Sequence, residues 1–558
     1  MASSVPSISQ SRPADPQRRR FLKTAALATA VATVPALSAC TTGEKQYDVV
    51  IRNGRVYDGS PKGDWTTTDI AVKDGKILAM GEKIQGPTAK TIDATGLWVV
   101  PGFIDVHTHC DLTFMKSGWK RHLAWAMPSW KGNYNYLYQG VTTVVTGNCG
   151  LGYDDTEAWL SHVDRLSFGS NVAHLVPHGM IRSRISDRPE LTSAQRDQLR
   201  GRVAEELDKG AVGLSVGLEY APGIHAPTRE LIDLCREVEA RNRVFTTHMR
   251  DESGTITGPG RFGILDALEE TLTIARETGV NTQISHFKLS APMNGLTAEQ
   301  ILTPIRRGRE AGLSLHADQY PYDAGSTVLS YLLPPEYKAL DGITEAARTS
   351  AGRKAIQAFI PTVFAHLPPE KILITINPED TNCEGLTLAQ IAQRKNQAPA
   401  HTFTDLVCQD QCPFAVFFAQ DMDMVRALMP NDFVLTASDG WTVPKDMTHP
   451  HPRTYGTFPR KLKQFVQEEG RMDILDALYS MTGLPATKFN LKGRGFLKPG
   501  YHADMALLDP AAISAPATYL APHAYARGVI HVLVNGVHTL ETGSATGDRG
   551  GRGLRTPA

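Results

Sequence analysis

One stretch decides the fold of this chain: residues 101–109 read PGFIDVHTH. An apolar segment ends there in two histidines, His107 and His109, spaced one residue apart. Alternate side chains of a strand point to the same side, so both imidazoles can face one point. Imidazole is the commonest protein ligand of zinc-like ions. The stretch predicts a buried strand whose C-terminal end carries metal ligands at the mouth of a barrel. Two histidines at the surface, or two that only form hydrogen bonds, would show the same spacing.

Repeated strand and helix patterns follow, and they predict an α/β fold. The pattern is typical of a (β/α)8 TIM-like barrel over residues 101–491. Between about 330 and 414 the rhythm breaks into proline-punctuated helices, which predict a helical insertion that forms a lid over the mouth. The further predicted strands are 142–146, 172–176, 212–216, 244–247, 282–285, 314–317 and 433–436, with helices at 193–209, 228–242, 262–279 and 297–311.

Both ends of the folded region carry short strands separated by turns. Residues 45–100 and 492–550 therefore predict a small β-sandwich domain assembled from both termini. The hairpin signals are Asn53-Gly54, Lys73-Asp74-Gly75 and Asn535-Gly536.

The bulk composition excludes several classes of protein. Of the 558 residues 41% are hydrophobic and 21% charged, which is ordinary for a folded protein. Lys+Arg and Asp+Glu both total 58, so the formal net charge is zero. We therefore expect no nucleic-acid partner. The sequence also contains no long run of like charges of the kind that is typical of an interaction tail.

The first forty residues predict export. Residues 18–23 read RRRFLK, which resembles the twin-arginine motif, and 37–40 read LSAC, which resembles a bacterial lipobox. We interpret residues 1–39 as a signal peptide and Cys40 as the site of a lipid anchor, the chain's one contact with a membrane. Thr41 rather than Asp follows it, which favours an outer-membrane lipoprotein in the periplasm. The alternative is an ordinary signal peptide with a cysteine nearby.

Four more candidate ligands stand where predicted barrel strands end: Cys149, His248, His286 and Asp439. Each has an ordinary structural explanation by itself, such as a buried cysteine, a capped histidine or an Asp-Gly turn. Together with the two histidines of the first strand, they form an ordered set of ligand types at one face of the barrel. Cys408 and Cys412 accompany no CxxC motif, so they predict no structural zinc site, and whether they form a disulfide stays open.

This order of residues resembles the amidohydrolase superfamily, specifically its N-acyl-D-amino-acid deacylase (D-aminoacylase) branch. The resemblance covers nearly all of the chain after the signal segment. It includes GVTTVVTGNCG at 140–150, GLEYAPG at 217–223, THMR at 247–250, DQYPY at 318–322, HPHPRTYGTFPR at 449–460 and MTGLPA at 481–486. It implies a metal-dependent hydrolase that removes the acyl group from N-acyl-D-amino acids.

The resemblance also implies the roles of the ligands. Cys149, His248 and His286 would hold one Zn²⁺ tightly. His107 and His109, with Asp439, would form a weaker second site, and whether both are occupied during turnover is left open. Water activated at the metal attacks the amide, and Asp439 acts as general base and then as general acid.

The substrate side follows from the same resemblance. Arg453 would anchor the carboxylate of the small N-acyl amino acid, with Tyr320 and Ser326 as hydrogen-bonding partners. Lys288 either contacts the substrate side chain or caps a loop. Glu219 stands where the family commonly has an apolar residue, which predicts an effect on side-chain selectivity. Cys110 should point away from the site.

Two alternatives remain at this point. One is a hydrolase of another amide, such as a cyclic amide or a dipeptide that contains a D-amino acid. The other is a non-catalytic periplasmic lipoprotein that keeps the fold as a binding module.

Overall fold

The computed structural model describes residues 45–115, 127–186, 188–340, 342–445 and 447–557. The predicted signal peptide 1–39 and the predicted lipid site Cys40 lie outside the described residues. Among the residues described, no helix is long and apolar enough to cross a membrane.

Eight parallel strands form the central sheet, in chain order around the barrel. A parallel bridge between Thr108 and Gly440, just beyond the first and last strands, joins the two ends of the sheet. The strands are almost entirely buried because helices cover one face and the barrel interior the other. The predicted barrel is confirmed, and its strands are Phe103–Asp105, Val141–Thr146, Asn171–Pro177, Gly213–Gly217, Val244–His248, Asn281–Ile284, Leu315–Gln319 and Val434–Thr436.

Helices separate the barrel strands and cover them. Two of them begin with capping boxes, in which Thr192 pairs with Gln195 and Thr297 pairs with Gln300. These caps place the helix starts within one residue of the predicted ones. The α-helices outside the insertion are Pro128–Lys131, Tyr134–Leu137, Thr156–Leu166, His178–Ile185, Ser193–Asp208, Thr228–Glu239, Gly263–Thr278, Ala298–Glu310, Met422–Leu428, Arg453–Arg460, Ile474–Tyr479 and Gly483–Lys488, with a π-helix at Lys461–Glu468.

The two ends of the described chain build a nine-stranded sheet. The hairpins at Lys73-Asp74-Gly75 and Asn535-Gly536 are confirmed. Its strands are Tyr47–Tyr57, Trp65–Lys73, Lys76–Gly81, Thr88–Asp93, Trp98–Pro101, Met505–Leu508, Val529–Val534, Val537–Glu541 and Ser544–Ala545.

The hairpin predicted at Asn53-Gly54 is wrong. The strand Tyr47–Tyr57 runs straight through this pair, and its register against the next strand shifts between Ile51 and Gly54. Asn53 adopts a left-handed conformation with φ of 60°, and its N–H donates to Asp69 Oδ1 at 3.1 Å. The two residues therefore form a β-bulge, which needs the same backbone conformation as a tight turn.

The insertion combines helices with a small sheet. Its sheet contains Ile372–Ile376, an apolar strand that the prediction of a purely helical segment omitted. Cys408 and Cys412 are free thiols. The strands of this sheet are Gly325–Val328, Phe414–Phe417 and Ile372–Ile376, and a separate short pair is formed by Lys338–Ala339 and Gly342–Ile343. The helices are Glu345–Arg348, Ser350–Phe364, Leu388–Lys395 and Pro399–Val407. A further strand pair, Ile256–Gly258 and Arg261–Phe262, precedes the insertion.

Candidate metal centre

The structure brings all six predicted ligands together at the C-terminal ends of the barrel strands. Each strand that carries one ends at or just before its ligand, and all six side chains are buried. This is the face at which barrel enzymes place their sites. The ligands are His107 and His109 beyond the first strand, Cys149 beyond the second, His248 at the end of the fifth, His286 beyond the sixth and Asp439 beyond the eighth.

Three of these residues sit in an unusual backbone conformation. Cys149, His286 and Asp439 have positive φ angles of 54°, 33° and 50°. Residues other than glycine are uncommon in this region, although aspartate and histidine adopt it more often than most, and such residues cluster at functional sites. Each of the three follows the end of its strand by two or three residues.

The ligand atoms form two overlapping groups that share Cys149. Its Sγ lies 3.3 Å from His107 Nε2 and 3.6 Å from His286 Nε2. The ligand atoms of Cys149, His248 and His286 all lie within 4.8 Å of one another, and so do those of His107, His109 and Cys149. A third group, with the same limit, joins His107 and His286 to Asp439.

The donor set fits a divalent metal ion. The Nδ1 atoms of His109 and His248 are buried and have no hydrogen-bond partner among the described residues. Burial alone would raise the pKa of the Cys149 thiol, but the charge of His107 and its hydrogen bond lower that pKa well below the usual value. A thiolate with imidazole nitrogens is the ligand set of tetrahedral zinc sites.

The surrounding field also favours a cation. Burial opposes protonation of His248, but the negative charge of Glu252, with Cys149 and Glu219, raises its pKa to about 10. His109 behaves in the same way, because its hydrogen bond to Asp439 overcomes burial and raises its pKa to about 9. Groups that hold protons this firmly lie in a negative potential, which a metal ion can neutralise.

Two carboxylates that sequence reasoning missed in this position lie behind the histidines. Glu219 Oε2 is 2.8 Å from His248 Nε2, and Glu252 Oε1 is 3.0 Å from His286 Nδ1. The sequence predicts an effect of Glu219 on side-chain selectivity, and the structure also places its carboxylate against a ligand. Glu252, four residues after His248, gave no signal in the sequence.

Asp439 and Arg453 form a buried ion pair beside the ligands. Arg453 Nη1 lies 2.9 Å from Asp439 Oδ2, while Asp439 Oδ1 lies 3.1 Å from His109 Nε2. Burial would raise the pKa of Asp439, but Arg453 and His107 hold it well below the usual value. Asp439 is therefore a carboxylate at neutral pH.

The other predicted substrate residues surround this pair. The guanidinium of Arg453 lies 4.6 Å from the centre of the Tyr320 ring, and Nη2 donates to the carbonyl of Ser326 at 3.2 Å. Lys288 contacts Glu252, and its Nζ lies 2.9 Å from His286 Nδ1 and donates to the carbonyl of His286 at 3.4 Å, so it lies beside a ligand and also bonds to the main chain. Cys110 is buried in the hydrophobic core and belongs to none of the ligand groups found among the described residues.

A cavity of about 610 Å³ opens onto the ligands. Its volume is in the range of small-molecule sites. The wall combines residues of the barrel mouth with residues of the insertion, among them Glu219, His248, His286, Lys288, Tyr320, Ser326, Asp439, Tyr331, Phe359, Val363 and Leu367.

Comparison with known proteins decides the family. Residues 90–224 and 379–539 match the model of the amidohydrolase family. This chain belongs to the amidohydrolase family. It is 31% identical over 539 residues to a D-aminoacylase of Alcaligenes xylosoxydans xylosoxydans, across 92% of this chain and 98% of that one. An N-acyl-D-glutamate deacylase of the same organism is 32% identical over 517 residues, across 88% and 93%.

Solved structures agree with this assignment. The N-acyl-D-glutamate deacylase of Bordetella bronchiseptica, with zinc and a phosphonate that mimics the tetrahedral intermediate, matches with a TM-score of 0.76 at 31% identity, across 92% of this chain and 100% of that chain. A D-aminoacylase with a binuclear metal centre matches with a TM-score of 0.74 at 29% identity, across 91% and 100%. Within the family, this amidohydrolase is of the D-aminoacylase type, a hydrolase of amide C–N bonds that uses a divalent metal.

Replacement of the shared thiolate should remove the tight metal. We expect Cys149→Ala to weaken zinc binding by more than about 100-fold, which is more than changes around a ligand shell usually cause. The measurement is zinc content after dialysis, with the dissociation constant from chelator competition. Cys110→Ala is the matched control, because that thiol is buried nearby without facing the ligands. One tightly held zinc in Cys149→Ala would contradict the assignment.

Proposed function

We propose that this amidohydrolase removes the acyl group from N-acyl-D-amino acids, releasing a carboxylate and a free D-amino acid. The observation that carries the proposal is the position of Asp439, which contacts His109 of the ligand set through one oxygen and Arg453 through the other. In this arrangement Asp439, as the general base, lies directly beside Arg453, as the group that anchors the substrate carboxylate. The similarity to D-aminoacylase and to the deacylases of N-acyl-D-glutamate and N-acyl-D-aspartate supports the substrate class.

We assign one tightly held Zn²⁺ to Cys149, His248 and His286, and a weaker second divalent ion to His107 and His109 with Asp439. The ion supplies a Lewis acid that lowers the pKa of water towards about 7 and polarises the amide carbonyl. Asp439 takes a proton from the attacking water as general base, because it is ionised and lies among the ligands. It then returns that proton to the leaving nitrogen, so that the amide bond breaks with release of the amine.

Arg453 binds the substrate carboxylate in this proposal. Its two contacts, to Asp439 Oδ2 and to the carbonyl of Ser326, use only part of a guanidinium with five N–H donors. Tyr320 stacks under the guanidinium and also lines the cavity, as does Lys288. A guanidinium with unused N–H donors suits the carboxylate of an acyl amino acid better than an uncharged amide.

The substrate assignment is tested by hydrolysis of matched pairs with zinc-loaded enzyme. We expect N-acetyl-D-amino acids to react and their L-enantiomers, a cyclic amide and a D-containing dipeptide to react far more slowly, with all activity lost to a chelator. Absence of activity on every N-acyl-D-amino acid would refute the proposal. The role of Arg453 in binding the substrate carboxylate is tested by comparing kcat/KM for N-acetyl-D-amino acids with kcat/KM for their primary amides. We expect Arg453→Ala to reduce this preference by at least about 10-fold.

The role of Asp439 is tested by separating metal binding from turnover. We expect Asp439→Asn to lower kcat by about 10²–10⁴-fold, the usual contribution of a general acid–base, while tight zinc binding stays within a few-fold. Asp432→Asn, at the other end of the same strand and in solvent, is the control and should leave both unchanged. An Asp439→Asn enzyme with wild-type kcat would rule out the general-base role.

We also propose that the protein is exported by the twin-arginine route and held in the cell envelope by a lipid on Cys40, as an outer-membrane lipoprotein. The support is the sequence at 18–23 and 37–40. Fractionation of cells should find the full chain with membranes and the Cys40→Ala chain in the soluble fraction, with Cys408→Ala as control. Membrane association that survives Cys40→Ala would contradict the anchor.

A further inference from the structure

The carboxylate of Glu219 occupies a defined place beside the metal ligands. Glu219 follows the fourth barrel strand, Gly213–Gly217, which pairs with the fifth strand so that Gly217 lies opposite His248. The N–H of Leu218 donates to the carbonyl of His248 at 3.0 Å. Main-chain pairing therefore brings Glu219 next to His248, and its Oε2 lies 2.8 Å from His248 Nε2.

The other ring nitrogen of the same imidazole has no such contact within the part of the chain that the structure describes. His248 Nδ1 is buried without a hydrogen-bond partner among the described residues, whereas Nε2 is engaged by Glu219. A neutral imidazole carries its proton on one nitrogen only. When Nε2–H donates to the carboxylate, Nδ1 keeps its lone pair, and that lone pair is what a metal ion requires.

Contacts from the insertion hold Glu219 in place. The hydroxyl of Tyr331 donates to Glu219 Oε1 at 3.5 Å, and Lys338 Nζ lies 3.5 Å from the Glu219 carbonyl. Lys338 also lies 5.3 Å from the centre of the Tyr331 ring. The side chain of Glu219 is only 12% exposed. The carboxylate is thus fixed between the barrel and the insertion.

We propose that Glu219 is a positioning residue for the metal centre: it fixes the tautomer and orientation of His248 so that Nδ1 binds the ion. Such outer carboxylates also raise the basicity of the ligating nitrogen. The inference rests on the proposed metal site.

Two other roles for Glu219 are less consistent with the contacts. As a ligand of a separate ion, it would need His248 and Glu252, whose ligand atoms lie within 4.8 Å. Glu252, however, is engaged by Lys288 and by His286. As a substrate contact, Glu219 would have to use Oε1, which already accepts from the Tyr331 hydroxyl, because Oε2 is engaged by His248.

The test measures metal affinity rather than activity alone. We expect Glu219→Ala to raise the zinc dissociation constant about 10–100-fold, the range for loss of such a partner. Glu219→Gln should recover part of this loss, because its amide oxygen accepts the same hydrogen bond without the charge. Asp251→Asn is the control: that carboxylate lines the same cavity but bonds to Ser253, and its loss should leave zinc affinity unchanged.

Cobalt-substituted protein supplies a second readout. The absorption band from the Cys149 thiolate should persist at saturating cobalt in Glu219→Ala, with altered ligand-field bands, because the ligands stay while one ring loses its partner. Zinc affinity within twofold of wild type in both variants would overturn the inference. An increase in KM alone would assign Glu219 to the substrate instead. Failure of the metal site itself is distinguished by the wild-type protein, which would then bind no zinc.

Discussion

The site depends on the seam that joins the first and last barrel strands. The N–H of Asp439 donates to the carbonyl of His107 at 2.9 Å, and the N–H of His109 donates to the carbonyl of Gly440 at 2.8 Å. Beneath them the buried carboxylate of Asp105 accepts from the N–H groups of His107 and Ser438. The bonds that close the barrel are therefore the bonds that place the two histidines beside the aspartate.

Asp105 joins the two sides of this seam although burial disfavours its charged form. Burial raises its pKa to about 7, although hydrogen bonds from Ser438 and His107 act in the opposite direction. A buried carboxyl group is tolerated where neighbouring N–H groups satisfy it. The seam thus closes the barrel and also fixes the relative positions of ligands that come from opposite ends of the barrel sequence.

Electrostatics connects the seam to the chemistry. The anionic groups Cys149, Asp439 and Glu252 are buried together, and the cations that face them are Arg453, Lys288 and the histidines. A divalent ion among the histidines can replace their protons and offset the same negative charge. The carboxylate of Glu219 orients the ring of His248, and the pairing with Arg453 keeps Asp439 ionised.

Much of this was predictable, for identifiable reasons. A strand has a period of two and ends at a fixed face of a barrel, so the spacing of His107 and His109 and the strand ends at His248 and His286 indicate one site. The hairpin prediction at Asn53-Gly54 was wrong because a β-bulge and a tight turn both need a residue in the left-handed conformation.

The unpredicted part depends on contacts between distant loops. The contact of Glu219 with His248 follows from strand pairing and the insertion, and the contact of Arg453 with Asp439 from the packing of the loop after the last strand. No local pattern encodes either contact. The strand Ile372–Ile376 was missed because a short apolar run does not distinguish a strand from a buried helix.

The most direct test of the metal centre is anomalous diffraction at the zinc edge from crystals of the zinc-loaded protein. The account predicts a strong peak about 2.3 Å from Cys149 Sγ and about 2.0–2.1 Å from one nitrogen each of His248 and His286. A strong peak elsewhere, with none within bonding distance of Cys149, would contradict it.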